Sequence, residues 1–339
     1  MSIEWFAMKR QLQAMDASKG APMREKSILD LIGHTPMLKL GRLAEKAPAK
    51  VYVKLEYLNP SGSLKDRIAM KMIGDAEKQG RLKPGDTILE SSTGNTGIAL
   101  SFVGSLKGYK VIIYETTPGK IGEEKRKIMR GYGAEVRSLP PEELQKMREK
   151  SVSGAEVERP GRAKCLELER ENPTYWWARQ FSNPANVLAH HDTAKEILEQ
   201  LNGKVDLFIA SIGTGGTLKG VAEVLKKANP KAKIIGVYPA SSKVPIVPGQ
   251  PYPKSETDGG IIADMVIVPK LIDEVVRVTD EEAVAMTHNL WKEGIFAGVS
   301  SGANVLVALR EAQKHPGLNI TTVLCDSADR YFTEEHYVT

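Results

Sequence analysis

Apolar residues fall in two alternating rhythms along the chain. Short runs such as VYVKLEY at 51–57, DTILESS at 86–92, KVIIYET at 110–116, VDLFIASIG at 205–213 and KIIGVYP at 233–239 predict strands. So do EVRSL, EVVRVTD and TTVLCDS. Between them, helical patterns predict helices over 66–80, 95–108, 119–133, 215–228, 280–294 and 300–314. Gly80 ends the first of these, and Gly133 stands near the end of the third. Such alternation predicts an α/β fold with parallel sheets covered on both faces.

Two stretches break the rhythm. Residues 140–172 are highly charged and read as a solvated helix–loop–helix connector. Residues 239–259 are rich in Pro, Ser and Gly and read as a long surface loop, the kind that often serves as an active-site lid.

Composition narrows the function classes. The 339 residues suggest two domains or one large α/β unit, at roughly 100–200 residues per domain. With 47 Lys+Arg against 42 Asp+Glu, the formal charge is +5 with the signs mixed, a poor match to a nucleic-acid binder. No apolar run reaches the ~18 residues of a membrane span. The first twenty residues carry no apolar core of a secretory signal. Two cysteines, Cys165 and Cys325, make no disulfide framework and point to the cytoplasm. No His/Cys spacing suggests a metal site.

Four segments at helix starts, the first three of them after a strand, carry candidate chemistry. In Asn59-Pro60-Ser61-Gly62-Ser63-Leu64-Lys65-Asp66-Arg67, Lys65 stands at a helix start. The dipole there disfavours a protonated amine, and a neutral amine is what Schiff-base chemistry needs. The turn alone fits a surface lysine equally well. In Glu90-Ser91-Ser92-Thr93-Gly94-Asn95-Thr96-Gly97, five hydroxyl or amide residues crowd a helix N-terminus, where one would suffice for a cap. Free N–H groups there suit a substrate carboxylate. Gly213-Thr214-Gly215-Gly216-Thr217 fits neither a dinucleotide fingerprint nor a P-loop, which leaves a cup for one phosphate. Gly298-Val299-Ser300-Ser301-Gly302-Ala303 opens another helix and, taken alone, reads as a cap.

Together these segments resemble the fold-type II pyridoxal-phosphate (PLP) enzymes of the cysteine synthase and cystathionine β-synthase group. The likeness runs from Ile28-Leu29-Asp30-Leu31-Ile32-Gly33-His34-Thr35-Pro36 to Asp326-Ser327. It is most specific at Lys54-x-Glu56 with the Asn59-to-Arg67 stretch. Ser92-Thr93-Gly94-Asn95-Thr96 is similar to the family's substrate loop with its first two residues exchanged. Gln180-Phe181 and Asn183-Pro184-Ala185-Asn186 resemble the segment bearing a carboxylate-binding glutamine.

The resemblance implies two doubly wound α/β domains, tryptophan synthase β-like, with the cofactor in the cleft between them. The expected division is an extension and crossover segment at 1–45, a smaller domain at 46–172 and a larger one at 173–339. Lys65 is implied to form the aldimine with PLP and to move the substrate Cα proton. Asn95 would bond the 3′-oxygen, and Gly213, Thr214, Gly215, Gly216 and Thr217 the phosphate. Ser300 would face the pyridine nitrogen, with Ser301 as its rival. Ser92, Thr93, Gly94, Thr96 and Gln180 would hold the substrate carboxylate. The implied reaction is β-replacement on an activated serine, O-acetylserine or O-phosphoserine, with sulfide, giving L-cysteine through an α-aminoacrylate. The expected partners are the amino-acid donor and a sulfide or thiol nucleophile. A cytoplasmic homodimer without nucleic acid, membrane or metal is expected, and no regulatory domain after the core.

Departures keep alternatives open. The loop 239–258 carries Lys243 and Lys254 but no arginine, which weakens a phosphoserine donor, since phosphate is best bound by a guanidinium. Arg162 and Arg179 lie outside it. The Glu90-Ser91-Ser92 start resembles diaminopropionate-forming relatives. Cystathionine β-synthase-type chemistry and a serine/threonine dehydratase-like eliminase remain as alternatives. Asn95-Thr96 in place of Asn-His argues against the eliminase.

Overall fold

The computed structural model describes residues 27–116, 122–142, 159–242 and 271–334. The N-terminal stretch 1–26, residues 143–158 of the charged connector and most of the Pro-rich loop lie outside them. The chain divides into two compact units, Met1–Leu31 and Ile32–Thr339. Within the described part of the first, Ile28–Leu31 forms a 3₁₀ turn.

The described strands of the second unit form two sheets. The larger contains β1 (Met37–Lys39), β2 (Lys50–Leu55), β10 (Asn319–Leu324), β7 (Leu207–Ser211), β8 (Lys233–Pro239) and β9 (Glu274–Val278), in that order. Only its β1–β2 pair is antiparallel. The smaller sheet is wholly parallel, ordered β5 (Glu135–Ser138), β4 (Lys110–Glu115), β3 (Thr87–Ser91) and β6 (Tyr175–Trp177). Two strands cross the expected domain limits: β2, within 46–172, pairs in the larger sheet, and β6, beyond 172, pairs in the smaller.

The described helices are α1 (Lys65–Lys78), α2 (Asn95–Leu106), α3 (Glu123–Gly131), α4 (Arg159–Glu171), α5 (Pro184–Gln200), α6 (Gly216–Ala228), α7 (Asp280–Lys292) and α8 (Val299–Lys314). Helices cover both faces of the larger sheet, and the strand period of two sorts its side chains. Leu207 and Ile209 of β7 pack with Leu290, Val305 and Ala308 of α7 and α8. Phe208 and Ala210 turn the other way, onto Ile197, Leu218 and Val221 of α5 and α6.

The connector differs from expectation where it is described. Residues 159–171 form α4, and Cys165 at its centre is fully buried against Leu89, Ile112, Tyr114 and Trp177. Far from being solvated, this helix supplies core to the smaller sheet; its charged majority hides a narrow apolar stripe. Among the described residues no helix is long and apolar enough to cross a membrane, and no group of three His, Cys, Asp or Glu is placed to hold a metal ion.

Candidate active site

The C-terminal ends of β7, β8 and β10 open into one cavity of about 230 Å³. Parallel α/β sheets characteristically bind ligands at this edge. Lys65, Asn95, Gly213, Thr214, Gly215, Thr217 and Ser300 all line it. Four segments spread from residue 65 to residue 300 thus line one cavity. Gly216 is buried directly beneath the same loop, as the first residue of α6.

Lys65 owes its position to its neighbours in the turn. Gly62 adopts φ +90°, which a side chain would disfavour. The carboxylate of Asp66 accepts from the Ser61 N–H at 2.7 Å and from the Ser61 hydroxyl. Arg67 reaches Glu56 at 2.7 Å and Glu196 at 2.7 Å. Asp66 and Arg67 therefore build the turn rather than face the cavity. The turn is sewn to the end of β10, where the Leu64 N–H donates to the Cys325 carbonyl and the Ser327 N–H to the Gly62 carbonyl. Burial pushes the Lys65 amine below its usual range, against the opposing influence of Cys325 and Asp326. Burial, expected from the sequence alongside the helix dipole, is the leading cause of this lowering.

Residues 213–217 form a cup at the N-terminus of α6. Gly215 holds φ +83°, and the first N–H groups of the helix have no intrahelical partner. Helix α5 braces the cup from behind. Asn186 donates to the Thr214 hydroxyl at 3.1 Å and to the Gln180 carbonyl at 2.8 Å. A Cβ on Gly216 would lie 2.0 Å from Asn186 Oδ1, so this position requires glycine for close approach. His190 Nε2 lies 3.1 Å from Thr217 Oγ1, and its Nδ1 lies 3.2 Å from Thr193 Oγ1. Burial holds its pKa well below the ordinary value, so the imidazole is neutral.

The loop 92–96 separates into two sets. Thr93, Gly94 and Asn95 are partly exposed at the start of α2. Ser92, Thr96 and Gln180 turn inward. Ser92 Oγ accepts from the N–H groups of Gly94 and Gly97, at 3.3 and 3.0 Å. Thr96 donates to Gln180 Oε1 at 2.6 Å, and Gln180 Nε2 donates to the Ser91 carbonyl. These three residues shape the loop, and none of the carboxylate set lines the cavity itself. The serine doublet also divides. Ser300 lines the cavity, whereas Ser301 Oγ is buried and accepts from the Cys325 N–H at 2.9 Å.

Three cavity residues and one that supports them escaped the sequence reading. Cys325, Asp326 and Tyr331 line the cavity, and Arg330, outside its lining, bonds to Asn95. Tyr331 donates to Asp326 Oδ2 at 2.5 Å. Burial pushes the Cys325 thiol up to about 12, which keeps it neutral. These residues follow the last strand without a glycine-rich turn to flag them.

The donor set fits a small cofactor with one phosphate. The cavity is smaller than the ~300–1,000 Å³ of a drug-sized pocket. It offers helix N–H groups and threonine hydroxyls at one end and an amine of lowered pKa among its walls. Comparison with known proteins points the same way. Residues 28–326 match the family described as "Pyridoxal-phosphate dependent enzyme". Cysteine synthase of Staphylococcus aureus (strain Mu50 / ATCC 700699) is 40% identical over 316 residues, which cover 92% of this chain and 96% of the relative. The crystal structure of a cysteine synthase from Entamoeba histolytica is 34% identical, with a TM-score of 0.78 and coverage of 95% and 94% of the two chains. The crystal structure of an O-ureido-L-serine synthase is 35% identical, with a TM-score of 0.76 and coverage of 90% and 93%.

Proposed function

The chain belongs to the pyridoxal-phosphate dependent enzyme family, as a transferase of the cysteine synthase type with pyridoxal 5′-phosphate as its cofactor, and on that premise we propose that it joins O-acetylserine and sulfide into L-cysteine. The observation that carries this reading is the convergence of Lys65, Asn95, the 213–217 cup and Ser300 on one small cavity. When bound, the cofactor supplies an electron sink for charge developing at the substrate Cα.

The chain's own residues supply the rest. The α6 N-terminus, with Thr214 and Thr217, grips the phosphate. Ser300 meets the ring nitrogen with a hydroxyl that carries no charge, so it does not enforce a protonated ring. This favours loss of a β-substituent over transamination. Lys65, whose lowered pKa keeps a larger fraction neutral, takes the proton from Cα and returns it after the nucleophile has added at Cβ. Thr93, Gly94 and the free N–H groups of the α2 N-terminus orient the substrate carboxylate. Ser92, Thr96 and Gln180 keep that loop in shape. The lack of arginine in loop 239–258 favours an acetyl over a phosphoryl leaving group.

The test incubates the PLP-loaded protein with O-acetylserine, O-phosphoserine or serine, each with sulfide, homocysteine or a nitrogen nucleophile. Cysteine should form fastest from O-acetylserine and sulfide. Faster turnover of O-phosphoserine, or a product other than cysteine at higher kcat/KM, would replace the proposed donor or nucleophile.

A further inference from the structure

We propose that Asp326 and Arg330 are positioning residues that lock the side-chain amide of Asn95 in one orientation and so control its hydrogen bond to the cofactor. The proposal rests on the reading of Asn95 as the residue facing the cofactor's ring oxygen. Arg330 Nη1 donates to Asn95 Oδ1 at 2.5 Å. Asn95 Nδ2 donates to Asp326 Oδ2 at 2.6 Å. The chemistry of the two partners fixes which end of the amide is which. A guanidinium has only donors, so the amide atom it meets is the oxygen, which leaves the amide nitrogen as the atom that donates to Asp326 Oδ2. Flipping the amide would break both bonds. One N–H of Nδ2 then remains, held in a single direction at the cavity wall.

The clamp is buried and shared with the rest of the site. Asp326 is 1% exposed and Arg330 2%. Asp326 Oδ2 also accepts from Tyr331, while Oδ1 has no hydrogen-bond partner although it is buried. The carboxylate thus presents an uncompensated oxygen at a wall that Lys65 shares. Arg330 Nη2 donates to the Ser61 carbonyl. One guanidinium therefore ties the turn of Lys65 to the helix start of Asn95. A lysine there could not span both acceptors in that geometry.

The experiment uses the full chain loaded with PLP. Bound PLP absorbs in the visible when its ring oxygen is ionised and in the near ultraviolet when that oxygen is protonated, so the band ratio reports the Asn95 hydrogen bond. Asn95→Ala, Arg330→Lys and Asp326→Ala should each lower the visible-to-ultraviolet ratio and weaken PLP binding by about threefold to tenfold. Asp326→Asn, which keeps an acceptor oxygen, should retain the wild-type ratio. The double variant Asn95→Ala with Arg330→Lys should match Asn95→Ala alone, because Arg330 acts through Asn95. Circular dichroism and thermal unfolding establish that each variant is folded, and the near-isosteric Asp326→Asn keeps the comparison available if Arg330→Lys is not. The proposal is overturned if Arg330→Lys and Asp326→Ala leave the ratio at the wild-type value, or if the double variant shifts it further than Asn95→Ala. If Asn95→Ala itself leaves the ratio unchanged, the placement of Asn95 against the cofactor fails with it. Cysteine formation by the wild type is scored separately and reports on the reaction alone.

Discussion

The imidazole of His190 lies 3.1 Å from the hydroxyl of Thr217, so a neutral, fully buried histidine backs the 213–217 cup in which we propose the phosphate sits. His190→Ala removes this partner and leaves the hydroxyls of Thr217 and Thr193 without it. PLP affinity should fall by about tenfold, the equivalent of ~1.4 kcal/mol, within the range for a lost buried hydrogen bond. Fluorescence titration of the protein with PLP measures this directly. An unchanged dissociation constant would remove His190 from the cup.

Gly216 touches the same helix. A methyl group there would meet Asn186 Oδ1 at 2.0 Å, with Oδ1 fixed because the amide nitrogen of Asn186 is committed to Thr214 and Gln180. Gly216→Ala should lower stability by about 1–3 kcal/mol and weaken PLP binding as well. Thermal unfolding with and without PLP separates the two effects. A full-strength cup in Gly216→Ala would show that α5 can retreat without consequence.

Lys65→Ala should lower cysteine formation by at least about a thousandfold, because no other amine lines the cavity among the described residues. Its thermal stability should equal or exceed that of the wild type without cofactor, since the variant no longer buries an amine whose pKa burial depresses. Initial rates and apo-protein melting curves check both halves.

Asp66 makes a pH prediction. Burial raises its carboxyl to about 6, against 3.8 for the ordinary group. Between those values the folded chain binds the proton and the unfolded chain does not. Stability is therefore lost as pH rises from ~4 to ~6, by on the order of 2–3 kcal/mol. Asp66→Asn should remove that part of the pH dependence. Urea unfolding of both proteins at several pH values between 4 and 7 gives the difference curve. A flat difference would mean that Asp66 ionises normally in the folded chain.

The legible parts of the site share one property. Lys65, Asn95 and residues 213–217 each stand where a strand-like run gives way to a helical one, Ser300 stands where one helix gives way to the next, and small polar residues mark all four turns. Asp326 and Arg330 obey no local pattern; their partner Asn95 lies 231 and 235 positions away. Helix α5 escaped for a different reason. Its buried face includes Asn186, His190 and Thr193, so polar residues that serve the cup interrupt the apolar period. Strand β6 has only three residues, too few to show alternation. In α4, Cys165 with the partly buried Leu166 and Leu168 carried the signal among many charges, one of which, Arg162, is itself buried.

The seam between the Lys65 turn and the end of β10 also sets a schedule for biosynthesis. Strand β2 finds its parallel partner only in 319–324, and the turn after it bonds to Cys325 and Ser327. The lysine-bearing turn can therefore settle only after residues 319–327 have been made. Nascent chains ending before residue 319 carry Lys65, Asn95, the 213–217 cup and Ser300 but cannot close the pocket. Cofactor capture therefore waits on the longest-range contacts of the fold.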